Sequence, residues 1–181
     1  MDWDICPSPT FLIHNYFKIM VMQILKSINL FYSRFLFRVS KLNTYSIIIF
    51  VILINLIWSF ILSELVFSNF KGGFQYDSLI QAILILVLLV PFFETMIFQF
   101  LIIDFILKKF PSNYLFATSL STLVFAASHF YSAEFVIKTL LSGFLYSSIY
   151  IIFVKKNVQP IIHVSITHSL YNLIAVIEKF W

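Results

Sequence analysis

The chain has 181 residues, of which 61% are apolar and only 11% charged, with a mean hydropathy of +0.97. A soluble domain carries about a quarter charged residues, so this composition excludes an ordinary soluble core and points to several membrane-spanning helices. The net charge of +4 sits in clusters between apolar runs, without the aromatic or polar partners of a nucleic-acid surface, so nucleic acid binding is excluded.

Residues 1–45 read as an N-terminal interfacial segment. Met1 to Pro9 carry Asp2 and Asp4 and lack the basic stretch of a cleaved signal peptide. Cys6 is the only cysteine, so no internal disulfide is expected. Phe11 to Leu42 interleave apolar residues with Lys18, Lys26, Arg34 and Arg38, which predicts one or two helices lying along lipid headgroups.

Residues 46–181 read as a transmembrane helical domain with about five spans and no repeat, an all-α polytopic bundle. The first span runs near Ser46 to Phe67, followed by a polar loop, Ser68 to Asp77, that holds Gly72 and Gly73. The second, Leu79 to Leu107, is long enough to need a tilt or a kink, and Pro91 is the place for one. The others cover about Asn113 to Phe130, Phe135 to Val154 and Pro160 to Ile177. Nine of the twelve cations share one side if the amino terminus is cytoplasmic, leaving Lys71, Lys138 and Lys179 elsewhere, which fits the positive-inside rule.

Glu94, His129 and His168 lie inside these apolar runs, where an ionisable group costs roughly 2.5–3.5 kcal/mol and usually faces a partner or a wet site. Glu94 is fourteen residues before Lys108, and His168 twelve after Lys156. At 1.5 Å per residue these depths are about 21 and 18 Å, and His129 comes to about 22–25 Å. The three groups therefore reach a common level within about one helical turn. A buried carboxylate there can take a proton from water. Phe125 and His129, four apart, share one helix face, as do His168 and Asn172, a pair able to donate toward an oxyanion.

Other polar residues have simpler expectations. His163 lies about 140° around its helix from His168 and should point elsewhere. His14 should be solvated, Asp104 should pair with Lys108 one turn on, and Lys138 should extend toward the surface. Glu64 and Glu178, near span ends, need no special role.

The run Pro91-Phe-Phe-Glu-Thr-Met-Ile-Phe-Gln99, then Phe125-Ala-Ala-Ser-His129, then His168-Ser-Leu-Tyr-Asn172 resembles the CPBP family of intramembrane proteases (CAAX prenyl protease and bacteriocin-processing, or Abi). Its motifs are EExxxR, FxxxH and HxxxN, each on its own transmembrane helix. The resemblance covers roughly Pro91 to Asn172, within a CPBP-like core at about 79–177. The first motif departs from the pattern: Thr95 stands where the second glutamate would be and Gln99 where the arginine would be. Both members of a buried ion pair are lost together, and a neutral hydrogen-bonded pair can be tolerated in their place without stranding a charge.

The resemblance implies an intramembrane endopeptidase in which Glu94 with His129 activates water and His168 with Asn172 stabilises the oxyanion, supported by Thr95, Gln99 and Phe125. It implies a peptide or membrane-protein substrate, a lipidated protein or a bacteriocin precursor, and a bacterial cytoplasmic membrane. No cofactor is expected; the alternative is a divalent metal such as zinc held by Glu94, His129 and His168. Against metal, no further carboxylate would remain as base once Glu94 became a ligand. The altered first motif motivates a second function, a catalytically inactive membrane immunity or binding protein. A proton-coupled transporter is disfavoured because the sequence has no inverted repeat.

Overall fold

A computed structural model describes residues 9–66, 76 and 78–181. Cys6, the signal-peptide reading, the loop with Gly72 and Gly73, and the side chain of His14 lie outside the described residues. Six helices build the fold, with no strand among the described residues.

The first, α1 (Pro9–Val39), is one continuous helix. Its last third joins the bundle: Tyr32 and Leu36, one turn apart, are buried. Asn29 bonds the Ser112 carbonyl at 3.1 Å and accepts the Leu115 amide at 3.0 Å. The turn after α1 is held by Lys156, whose ammonium donates to the carbonyls of Ser40 (2.9 Å) and Leu42 (2.8 Å). A cation there satisfies carbonyl groups that the helix end leaves free.

Helix α2 (Thr44–Phe60) starts at Asn43, whose side chain accepts the Tyr45 amide at 2.8 Å, and continues as a π-helical stretch, Ile61–Val66. Helix α3 (Leu79–Lys109) has 31 residues, about 46 Å at 1.5 Å per residue, and so exceeds a hydrocarbon core of about 30 Å. It carries two π-helical stretches, Ile83–Leu89 and Thr95–Leu101, on either side of a short α-helical piece, Val90–Glu94. Pro91 is in that piece, so the irregularity falls where the sequence places it.

The next helix, α4 (Tyr114–Ala127), has 14 residues, about 21 Å. It is apolar but shorter than the expected run from Asn113 to Phe130. Polar residues set its limits: Asn113 caps its start, Ser128 its end, and Ser132 already caps the following helix. Helix α5 (Ala133–Lys155) is the central one: 56% of its most apolar window is buried, against 22–33% for the windows of α2, α3 and α6. Its Ser142, Gly143, Ser147 and Ser148 are small, which lets neighbouring backbones approach closely. Helix α6 (Pro160–Phe180) begins with proline in its first turn, where no amide is required.

Four helices, in α2, α3, α5 and α6, are therefore long and apolar enough to cross a bilayer, and the chain is an integral membrane protein. α4 and α5 form an antiparallel hairpin with the most extensive packing in the bundle. Helices α3 and α6 also run antiparallel, since Leu86 meets Asn172 and Glu94 meets His168. The main core gathers Leu36, Ile47, Val51, Ile103, Phe125, Phe153 and Val164 with their neighbours. A smaller cluster of Ala82, Val87 and Val176 joins the far ends of α3 and α6.

Buried polar pairs lace the bundle. The Tyr32 hydroxyl bonds Thr118 (3.0 Å) and Ser148 (2.8 Å), and Ser121 bonds Ser147 at 2.7 Å. Ser142 donates to Asn55 at 2.7 Å. Asp104 accepts the Tyr150 hydroxyl at 3.1 Å. Its predicted partner was Lys108 on the same helix, but the facing helix α5 presents a donor at the right height.

Candidate active site

Helices α3, α4 and α6 each contribute one ionisable group to a single centre. Glu94 Oε1 lies 3.4 Å from His129 Nε2, and Glu94 Oε2 lies 3.7 Å from His168 Nδ1. The side chains are 18%, 11% and 9% exposed, so all three are largely withdrawn from the surface. Both separations exceed the roughly 2.7–2.9 Å of a direct charge-assisted hydrogen bond. Groups at that spacing are placed to share a proton or a third atom.

The local backbone explains how Glu94 reaches this position. In the π-helical stretch before it, each amide bonds one residue further back, and the Val90 N–H reaches the Ile85 carbonyl. By the same pattern the Leu86 carbonyl would take the amide of residue 91, which is proline and has none. The Asn172 side-chain amide fills that position and donates to Leu86 O at 2.9 Å. Thus Pro91 frees a carbonyl, and Asn172 uses it to fasten α6 to α3 one turn from His168. Such π-helical insertions are common at functional sites.

His129 lies two residues past Ala127, the last residue of α4. Its Nδ1 lies 2.7 Å from the Phe125 carbonyl and 3.1 Å from the Ser128 hydroxyl. A carbonyl only accepts, so Nδ1 carries the proton and Nε2, facing Glu94, is the nitrogen free to exchange one. Phe135 stacks on the same imidazole at 5.8 Å and 16°.

Phe125 stands at the middle of the centre. Its ring is 4.6 Å from that of His129 and 6.2 Å from that of His168, with Phe98 edge-on at 5.4 Å. It walls both imidazoles, that of His129 from the same helix face, as their four-residue spacing requires. Gly143 makes room for it: a Cβ there would come within 2.8 Å of Phe125 Cδ1. His168 is stacked on the other side by Tyr146, with ring centroids 4.6 Å apart and planes 28° apart.

The structure departs from the sequence reading in two places. Thr95 and Gln99 are fully buried, but they do not bond each other: Thr95 Oγ1 and Gln99 Nε2 have no partner among the described residues. A neutral hydrogen-bonded pair is not formed there, because the π-helical stretch that starts at Thr95 breaks the regular four-residue alignment. Asn172 directs one amide hydrogen to Leu86, leaving only the second for any other acceptor. His163 points away from the centre as expected, bonding the Gln159 carbonyl at 2.7 Å and lying 5.3 Å from the Phe153 ring.

Sequence reasoning passed over Tyr146 and Gly143. A tyrosine inside an apolar helix gives no periodic signal, and the requirement at Gly143 comes from a ring on another helix. The only available hint was that Gly143 is one of three glycines in the chain.

Comparison with protein families gives a match over residues 76–174, to the family described as type II CAAX prenyl endopeptidase Rce1-like. The matched stretch contains Glu94, His129, His168 and Asn172. No curated protein and no solved structure matches the chain.

Proposed function

The chain belongs to the Rce1-like family of type II CAAX prenyl endopeptidases, and on that premise we propose that it hydrolyses a peptide bond in or beside the membrane through Glu94 and His129. The observation that carries this reading is one carboxylate held 3.4 and 3.7 Å from imidazoles of two other helices. Glu94, with His129 Nε2, accepts a proton as water attacks the scissile carbonyl, and the proton then passes to the leaving amine. The Phe125 carbonyl fixes the His129 tautomer that this exchange requires. His168 and the remaining Asn172 N–H stabilise the oxyanion. The family name points to the carboxyl-terminal peptide of a prenylated protein as substrate. On the same reading the amino terminus lies on the cytoplasmic side of a bacterial membrane, supported by the clustering of nine of the twelve cations on one side.

The reaction is written without a metal. Glu94, His129 and His168 are also the donor set that a divalent metal would take. With Glu94 as a ligand, no second carboxylate would stand at the centre to act as base.

A second reading, a catalytically silent immunity or binding protein, is favoured by one observation: Thr95 and Gln99 replace the acid and arginine of the CPBP motif. One assay separates the two, comparing wild type with Glu94→Gln on a quenched prenylated peptide in detergent. Loss of the base predicts a fall in turnover of about 10²–10⁴-fold. Equal turnover contradicts the hydrolytic role of Glu94, and none in either protein supports the silent reading.

A further inference from the structure

Three tyrosines on or against the central helix have deeply buried hydroxyls, and two of them are satisfied. Tyr32 bonds Thr118 and Ser148, and Tyr150 bonds Asp104. Tyr146 is 1% exposed, and its hydroxyl finds no partner among the described residues. A buried hydroxyl left without a partner is destabilising, so for the fold alone phenylalanine would be the better residue. Its ring is held between two residues of the centre, stacked on His168 at 4.6 Å and edge-on to Phe125 at 6.3 Å. Glu94 of α3 and Tyr171 of α6 also act electrostatically on its hydroxyl. Other buried polar atoms also lack partners, among them Thr122 Oγ1 and Ser165 Oγ, but Tyr146 is the one stacked on a histidine of the site.

We propose that Tyr146 is a further residue of the hydrolytic centre, its hydroxyl donating to the substrate carbonyl oxygen on the side of His168. That oxygen gains negative charge as the water deprotonated by Glu94 adds to the carbonyl carbon. The assignment rests on the hydrolase reading given above. It also meets a shortage, because Asn172 commits one of its two amide hydrogens to Leu86, leaving the centre one donor short. A neutral phenol in a dry site is a suitable donor to a developing oxyanion, and its contribution appears only as that charge forms.

Tyr146→Phe tests this, since it keeps the ring and its stacking and removes only the oxygen. With a quenched farnesylated peptide and the full chain in detergent, kcat per folded protein is expected to fall about tenfold or more. KM should stay within about twofold, the pattern of an interaction made only in the transition state. A hydroxyl with no role predicts unchanged kcat and an equal or higher melting temperature, and unchanged kcat overturns the proposal. A second readout needs no turnover: the infrared carboxyl band of Glu94, identified as the one lost in Glu94→Gln. It should shift in Tyr146→Phe, because the hydroxyl acts electrostatically on that carboxylate. Inactivity of wild type and Glu94→Gln alike would defeat the hydrolase reading. The band then decides for Tyr146, and a band that does not move overturns the assignment.

Discussion

Two sets of buried polar groups occupy the bundle, and they are built differently. Along the seam of α1, α4 and α5, hydroxyls meet at 2.7–3.0 Å: Tyr32 with Thr118 and Ser148, and Ser121 with Ser147. Where α3, α4 and α6 meet, Glu94 stands 3.4 and 3.7 Å from two imidazoles, and Tyr146, stacked on one of them, has a hydroxyl with no partner among the described residues. A closed network fixes helices against one another. A loose one, in the same low-dielectric interior, keeps hydrogen-bonding capacity for something that arrives later. The first set should therefore govern stability and the second turnover.

The largest effect that would sharpen this contrast is expected at His129. His129→Ala should lower turnover by about 10²–10⁴-fold while melting changes little, since the seam is untouched. A melting loss that accounts for the whole activity loss would erase the distinction. Thr95→Glu comes next. It places a charge at a fully buried position with no cation on its helix face, and should cost about 3–5 kcal/mol in denaturant unfolding. Adding Gln99→Arg should recover part of that by restoring the pair that the CPBP pattern contains. No recovery would show that the π-helical stretch at Thr95–Leu101 keeps the two positions apart.

Gly143→Ala crosses between the two sets. The new methyl would press on Phe125 at 2.8 Å, costing about 1–3 kcal/mol of overpacking and disturbing the ring between the two histidines. Both melting and kcat should fall, and a purely thermal effect would mean that Phe125 does not hold the imidazoles in place. The smallest effect belongs to Tyr32→Phe. Ser148 keeps its bond to the Phe144 carbonyl at 2.6 Å, so the loss should be about 1 kcal/mol, with turnover per folded molecule unchanged.

The helical architecture was legible because it rests on local properties: apolar runs of bilayer length, cations at their ends, and a proline in the longest run. The meeting of Glu94, His129 and His168 was legible for a related reason, since helical rise converts sequence position into depth. What could not be read depends on contacts between helices. Asn172 turns to Leu86 because Pro91 withdraws an amide on a different helix, and Asp104 finds Tyr150 because α5 passes at that height. The shortening of α4 was hidden because Ser128 and Ser132 cap helices while scarcely lowering hydropathy. Tyr146 looks in the sequence like any membrane-helix aromatic, and only its stacking on His168 singles it out.

The central claim, that three side chains from three helices act as one unit, is tested most directly by a double-mutant cycle in turnover between Glu94→Gln and His129→Ala. Residues that serve one step are strongly non-additive, so the double variant should be little worse than the poorer single variant. Losses that multiply would mean that the two groups act independently, contradicting the shared centre.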